Sequence, residues 1–330
     1  MRESPISELE GALRALVGAE HVLAVCSGTA AYMTALLTLS PRPRAEVLLS
    51  AYTWPQLAAV PEVLGLKVGF VDCDPQGRMC PDSLASRLGP RTGAVVVCHL
   101  FGNPVDARRI AEVAGRAGVP VIEDCSQSLL ALQGGRMVGR WGTLAFASLG
   151  PTKLLSAGEG GVLWTPHTHL HDLAFGRSQH PSRAPNERQA TACAWDGLSL
   201  RMHPEGAAQA LRSLATVKER AVRLQQGYRL LRELLDGVPG IRLLTPLPDA
   251  VPVWQHAPVL VEPWLARRIG RVCSKTQPAY LVTRSRRAPN AARFARRVRY
   301  LTTGRRWDDV ATASLEGLAA IVRAAAQCGG

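Results

Sequence analysis

The stretch GAVVVCHLFGNPVDARRIAEVAGRAGVPVIEDC, Gly93 to Cys125, decides the fold. It opens on an apolar, β-branched run, GAVVVCHL (93–100), and closes on a second, VPVIEDC (119–125). Between them PVDARRIAEVAGRAG carries a helical pattern. Two short Val/Ile-rich runs joined by a helix make a βαβ unit, because parallel neighbouring strands need a crossover of that length. The runs are apolar at nearly every position instead of alternating, as strands covered on both faces must be.

The same alternation extends outward. HVLAV (21–25), EVLLS (46–50) and KVGFVD (67–72) read as strands before the unit; TLAFASL (143–149) and GVLWT (161–165) follow it. GTAAYMTALLTL and the segment from about Trp54 to Leu64 read as helices. The expected fold class is therefore α/β, a mostly parallel central sheet covered by helices. From about Pro204 to Gly237 the pattern is helical throughout, and a long helix there is expected to lead into a smaller α+β unit. The expected division is 1–203 and 204–330, the second part ending in DDVATASLEGLAAIVRAAAQ. Residues 176–192, polar and Pro-containing, read as an exposed loop.

With 47% hydrophobic and 20% charged residues, the 330-residue chain has a globular composition, not a disordered one. MRESPISELEGALRALVG reads as an amphipathic helix, not a secretory leader. No apolar run reaches the roughly 18–20 residues needed to span a bilayer, so a cytoplasmic location with no membrane partner is expected. Eight scattered cysteines without C-x-x-C spacing read as buried reduced thiols, not as a disulfide scaffold or a zinc site. The HTHLH run (His167, His169, His171) reads as an exposed loop or a helix start, and no metal is expected. Much of the net charge of +13 lies in the Arg-rich segment from Ala266 onward. Few aromatics interleave with it and no nucleic-acid motif accompanies it, so no nucleic-acid partner is expected. It reads as a solvated surface, or as one that steers an anionic substrate.

Ligands of open α/β sheets sit outside the carboxyl ends of strands, which directs attention to the residues after each run. Ser27, Gly28 and Thr29 follow HVLAV and open a helix, whose free N–H groups and dipole suit a phosphate; a plain N-cap is the simpler alternative. Asp124 ends VPVIED, where a carboxylate can hold a protonated ring nitrogen or cap the next turn. Trp54 follows EVLLS, placed either to stack on a flat ligand or to pack in a core or interface. In SLGPTKLLSAGEGG, Ser148 ends a strand and Lys153 follows five residues on. Lysine occurs only at positions 67, 153, 218 and 275, so 35 of the 39 basic residues (39 minus 4) are Arg. A buried Lys is costly unless paired or neutral, but unlike Arg it can form a Schiff base.

Those pieces, with SGTAA, YTWPQLAA, VGFVDCDP, VVVCHLFGNPVD, VPVIEDCSQS and SLGPTKLLSAGEGGVL in that order, resemble the DegT/DnrJ/StrS family of pyridoxal phosphate-dependent sugar and cyclitol aminotransferases. The resemblance implies the type I aminotransferase fold and a homodimer with active sites at the interface, a heterodimer with a homologue being the variant. It implies that Lys153 forms the internal aldimine and then shuttles the proton, and that Asp124 pairs with the pyridine nitrogen. Gln127 would bond the ring oxygen, Trp54 would stack on the ring, and Gly28, Thr29 and Ser148 would hold the phosphate. Ser199, with Arg201, stands in the element that reaches the neighbouring subunit's phosphate, at a position where the family usually has Asn. The SGT element begins at residue 27, closer to the N-terminus than in the family. The implied reaction transfers an amino group from an amino acid (Glu or Gln) to a keto-sugar or keto-cyclitol. Pyridoxal phosphate-dependent dehydration, as in aminohydroxybenzoate synthases, and a non-catalytic partner subunit are the alternatives.

Overall fold

The computed structural model describes residues 4–180, 183, 197–270, 273–275, 281–282, 288–301 and 312–327. Helix α1 (Pro5–Val17) starts on the N-cap Ser4, carries Pro at its first position and ends on Gly18 at φ 62. Its buried stripe, Ile6, Leu9, Leu13 and Val17, has the spacing of one helix face. Strand β1 (His21–Val25) then leads into α2 (Gly28–Leu39). Next come β2 (Glu46–Ser50), the short β3 (Tyr52–Thr53), α3 (Gln56–Val63), β4 (Lys67–Val71) and α4 (Pro81–Arg87). The βαβ unit follows as β5 (Thr92–Cys98), α5 (Ala107–Arg116) and β6 (Val121–Asp124). After the short β7 (Leu132–Gln133) and β8 (Arg136–Met137) come β9 (Leu144–Ser148), β10 (Gly161–Thr165) and α6 (Thr168–Ser178).

A seven-stranded sheet has the order β1-β10-β9-β6-β5-β2-β4. The strands from β9 to β4 pair in parallel, whereas β10 runs antiparallel to both its neighbours. The connection after β9, residues 149–160, contains no helix and turns the chain straight back into β10. Helices cover both faces. On one face Val96, Ile122 and Phe146 pack with Ala31, Ala35 and Leu36 of α2. On the other, Val95, Val97 and Val121 pack with Ile110 and Ala114 of α5. Helix α5 is held at its start by Asp106, whose carboxylate accepts from the Arg109 N–H at 3.1 Å.

The stretch expected as one long helix is two, α7 (Pro204–Leu214) and α8 (Val217–Leu235). Thr216, at φ −114 and ψ 7, leaves the helical region between them. Ala207 and Ala210 of α7 pack in the cluster that holds α1; α8 begins in that same cluster with Val217, Ala221 and Leu224 and ends in the largest one with Tyr228, Leu231 and Leu235. Beyond lie β11 (Ile241–Leu243), β12 (Ala250–Val251), β13 (Pro258–Val261), α9 (Pro263–Arg268) and β14 (Cys273–Lys275). The series ends with β15 (Leu281–Val282), α10 (Pro289–Arg297), β16 (Val298–Leu301) and α11 (Thr312–Gln327). A second, four-stranded sheet has the order β11-β13-β16-β14 and its recorded pairings are antiparallel. It belongs with the helices around it to an α+β arrangement, beside the parallel-rich sheet.

Two contacts tie the sheets together. β15 pairs with β3, next to Trp54. Asp72, just after β4, accepts from the Asn290 and Ala291 N–H groups at 3.2 and 2.9 Å, capping α10 from a distant part of the chain. Of the segment expected as an exposed loop, residues 176–178 finish α6, and Ser178 and Gln179 are buried; 181–182 and 184–192 lie outside the described residues. His167 is the N-cap of α6, and no group of three or more His, Cys, Asp or Glu able to hold a metal occurs among the described residues. No helix among them is long and apolar enough to cross a membrane. Cys26, Cys73, Cys80, Cys98 and Cys125 are free thiols.

Candidate active site

A cavity of about 520 Å³ opens where the carboxyl ends of β1, β5, β6 and β9 meet the start of α2. Its floor is a row across three strands. Cys98 pairs in register with Asp124, and Asp124 with Phe146, so the three side chains share one face. Neighbouring strand residues point to opposite faces, which separates the two carboxylates of the Glu123–Asp124 pair. Glu123 turns away from the cavity. It accepts from the Gly139, Trp141 and Gly142 N–H groups at 2.8, 2.7 and 2.6 Å, and lies 3.1 Å from His99 Nε2. The Val105 N–H donates to His99 Nδ1, which leaves the ring proton on Nε2, pointing at Glu123. Burial alone would raise the Glu123 pKa; the His99 hydrogen bond and charge, with the backbone donors, outweigh it and lower it.

Asp124 faces the cavity. Its Oδ1 accepts from the Ser126 N–H at 2.9 Å, a local turn closure, and its Oδ2 accepts from the Cys98 thiol at 3.4 Å. The turn-capping and ligand-facing readings of this residue therefore coexist, one on each oxygen. Burial first, and the Asp124 charge second, push the Cys98 thiol well up, so it stays a protonated donor. The same two causes raise the pKa of the buried Tyr32, which stacks on Phe146 at 5.3 Å and donates to the Leu57 carbonyl.

The α2 side is built by close approach. Ser27 caps the helix through Oγ, which accepts from the Ala30 N–H at 3.0 Å, while Gly28 and Thr29 line the cavity with the first turn's N–H groups. A Cβ on Gly28 would stand 2.6 Å from Ser148 Cβ and 2.9 Å from Ser148 Cα. A Cβ on Gly161 would stand 2.1 Å from the Ser27 carbonyl oxygen. Only two glycines let the helix start lie directly on the ends of β9 and β10.

Ser148 closes β9, its Oγ accepting from the Gly150 N–H at 3.3 Å, and the Lys153 N–H donates to the Gly150 carbonyl at 3.1 Å. That turn aims Lys153 into the cavity. Burial lowers its pKa, opposed chiefly by the charge of Asp124. Gln127 accepts from the Phe101 N–H at 2.6 Å through Oε1, which fixes the amide's orientation. Trp54 stands at the rim, 38% exposed.

Gly28, Thr29, Trp54, Asp124, Gln127, Ser148 and Lys153 thus line one cavity although they span 126 positions of sequence (153 minus 28, plus 1). Ser199 does not: it is exposed and outside the lining, in a strand-like segment held by the Leu198 and Leu200 N–H groups on Arg177 and Ser178. Sequence reasoning passed over Tyr32, Cys98, Phe146, Glu159, His256 and Tyr300, which also line the cavity. Phe146 and Cys98 follow from strand register; His256 and Tyr300 have no local signal. Pyridoxal phosphate fits this set. A helix N-terminus stripped of side-chain bulk faces one end, a carboxylate ends the central strand, and a lysine whose ammonium is disfavoured shares their space.

The sequence profile described as the DegT/DnrJ/EryC1/StrS aminotransferase family matches residues 3–297. Protein MosB of Rhizobium meliloti is 30% identical over 273 residues, covering 78% of this chain and 53% of its own length. The L-glutamine:2-deoxy-scyllo-inosose aminotransferase of Streptomyces kanamyceticus is 37% identical over 175 residues, covering 50% of this chain and 40% of its own. The chain spans about half the length of these curated relatives. The solved structure of the sugar aminotransferase CalS13 from Micromonospora echinospora superposes with a TM-score of 0.83 at 25% identity, covering 98% of this chain and 92% of that one. The chain belongs to the DegT/DnrJ/EryC1/StrS aminotransferase family.

Proposed function

We propose that the protein is a pyridoxal phosphate-dependent aminotransferase that moves an amino group from Glu or Gln to a keto-sugar or keto-cyclitol. The observation that carries this reading is the convergence of Lys153, Asp124 and the α2 N-terminus on one cavity, with the Lys153 ammonium disfavoured by burial. The family and the names of the relatives, one a cyclitol and one a sugar aminotransferase, support the acceptor class.

Bound pyridoxal phosphate supplies an electron sink for the pair left when a C–H bond beside nitrogen breaks. Gly28 and Thr29 N–H groups with Ser148 would hold its phosphate, and Asp124 Oδ2 would keep a proton on its ring nitrogen. Gln127, its carbonyl end fixed by Phe101, would turn its NH2 toward the ring oxygen. Trp54 would cover the ring at the rim. Lys153 Nζ would hold the cofactor covalently, and once released would take the proton from the substrate carbon and return it, a task that suits an amine of lowered pKa. A homodimer with the site at the interface completes the reading; a heterodimer with a homologue is the variant. Exposed Trp54 at the rim and exposed Ser199 and Arg201 are the residues such a partner would cover.

Visible absorption tests this directly. The purified protein should carry a cofactor band that borohydride fixes onto Lys153, and L-glutamine or L-glutamate should shift it to the amine form. A protein that binds no cofactor sinks the proposal; one that binds it but responds to no amino acid points to dehydration or to a partner role.

A further inference from the structure

Tyr300 of β16 and His256, two residues before β13, also line the cavity, and the cofactor reading leaves them unused. The His256 ring stacks on Tyr300 with centroids 4.8 Å apart and planes at 26°. Tyr300 in turn meets Phe101 edge-on at 5.6 Å, and the Phe101 N–H is the donor that orients Gln127. The imidazole is thus built onto the same frame as the cofactor cradle, but from the opposite side. Among the described residues no hydrogen bond reaches either ring nitrogen of His256.

The backbone that presents His256 is held against its preferences. Trp254 (φ 54) and Phe101 (φ 64) are both non-glycine residues in the left-handed region. Gly102 sits between them at φ +84; a Cβ there would stand 2.7 Å from Trp254 N and 3.0 Å from Gln255 N. The Val253 N–H donates to the Gly102 carbonyl at 3.0 Å. On the other side Trp254 stacks on Tyr228 at 3.9 Å. The Tyr228 hydroxyl donates to the Pro258 carbonyl and accepts from the Leu244 N–H, both at 2.9 Å. The segment is therefore clamped before and after His256. Strained backbone survives where its surroundings over-determine it, and such places cluster at ligand clamps.

Burial, then the Lys153 charge, hold the His256 pKa down to about 4. The ring is neutral at pH 7, with one donor and one acceptor nitrogen, and that matches a hydroxyl, which is also both. A carboxylate or phosphate calls for a cation instead.

We propose that His256 is a specificity-determining residue for the keto substrate, hydrogen-bonding a ring hydroxyl beside the reacting carbon while Tyr300 fixes its orientation. This rests on the aminotransferase reading. The test follows the holoenzyme's cofactor absorbance through two half-reactions. L-glutamate and L-glutamine load the amino group. The return is then driven by 2-deoxy-scyllo-inosose, by UDP-N-acetyl-3-dehydro-α-D-glucosamine, or by 2-oxoglutarate, which has no ring hydroxyl. His256→Phe keeps the stacked ring but removes both nitrogens. It should leave the cofactor band, the loading step and the 2-oxoglutarate return within about twofold of wild type. The ring-ketone return should slow by roughly three- to tenfold, as loss of one neutral hydrogen bond implies. His256→Gln, which restores a donor and an acceptor, should recover most of that loss. An unchanged ring-ketone return in His256→Phe, or equal losses with all acceptors, overturns the assignment. A wild type that loads but returns its amino group to neither ring ketone also overturns it. A wild type with no cofactor band defeats the aminotransferase reading itself, a failure visible before any variant is made.

Discussion

The two walls of the cavity are made in different ways. The first is mainly a set of strand ends: Ser27, Gly28 and Thr29 follow β1, Trp54 follows β3, Cys98 ends β5, Asp124 and Gln127 stand at the end of β6, and Ser148 and Lys153 at the end of β9. Strand register brings Cys98, Asp124 and Phe146 side by side, and two glycines allow the helix start to touch the sheet. The second wall combines Tyr300, near the end of β16 in the other sheet, with His256, which lies in no strand. His256 precedes β13 in an irregular segment held by a Tyr228 clamp and by left-handed backbone at Trp254. Regular strand ends carry the residues proposed to hold the cofactor, and an irregular, over-constrained segment carries the one proposed to read the substrate.

The largest effect should come from breaking the first wall at its centre. Lys153→Ala is expected to abolish borohydride-fixable cofactor and to slow amino transfer by on the order of a thousandfold or more. Its thermal midpoint should not fall, since a half-buried ammonium is no asset to folding. Gly28→Ala strikes the same wall through packing. Its Cβ would collide with the Ser148 backbone 2.9 Å away, at a strain of about 1–3 kcal/mol. Cofactor affinity, read by absorbance titration, should drop by roughly five- to hundredfold.

Gly102→Ala sharpens the contrast because it touches both walls, with Trp254 N at 2.7 Å and the Gln127 carbonyl at 2.9 Å from the added carbon. It should slow the ring-ketone return more than it weakens cofactor retention, as stopped-flow measurement of the two half-reactions would reveal. Asp72→Ala leaves both walls chemically intact and removes the cap on α10 together with a local acceptor for the Cys73 N–H. A loss of about 1 kcal/mol in urea unfolding is expected, with the half-reactions little changed. The smallest effect is a pH slope. Folded His256 stays neutral down to about 4, whereas the unfolded imidazole takes its proton near 6.5. Between those values the unfolded state binds more protons, so stability falls as pH drops. His256→Phe should flatten this slope in denaturation midpoints measured from pH 7 to pH 5.

Much of the first wall was legible because its cues are local. The runs 21–25, 46–50 and 161–165 read as strands coincide with β1, β2 and β10, and GTAAYMTALLTL coincides with α2. Lys153 stood out against an Arg-rich background, and Asp124 by its place at a strand end. The break at Thr216 was hidden because both pieces around it carry helical sequence. Ser199 was named from the family pattern, and in this chain it lies outside the cavity.

By itself the sequence determined the class of fold, the strand ends and the lysine at the end of one of them, since periodicity, apolar runs and residue chemistry act over a few neighbours. Tertiary structure alone decided the reversal of β10, the partners that hold Glu123, the long-range cap by Asp72 and the placing of His256 in one cavity with Lys153. Each of these depends on pairing, burial or charge between segments distant in the chain, and the free energy of such contacts exists only once the chain has closed around them.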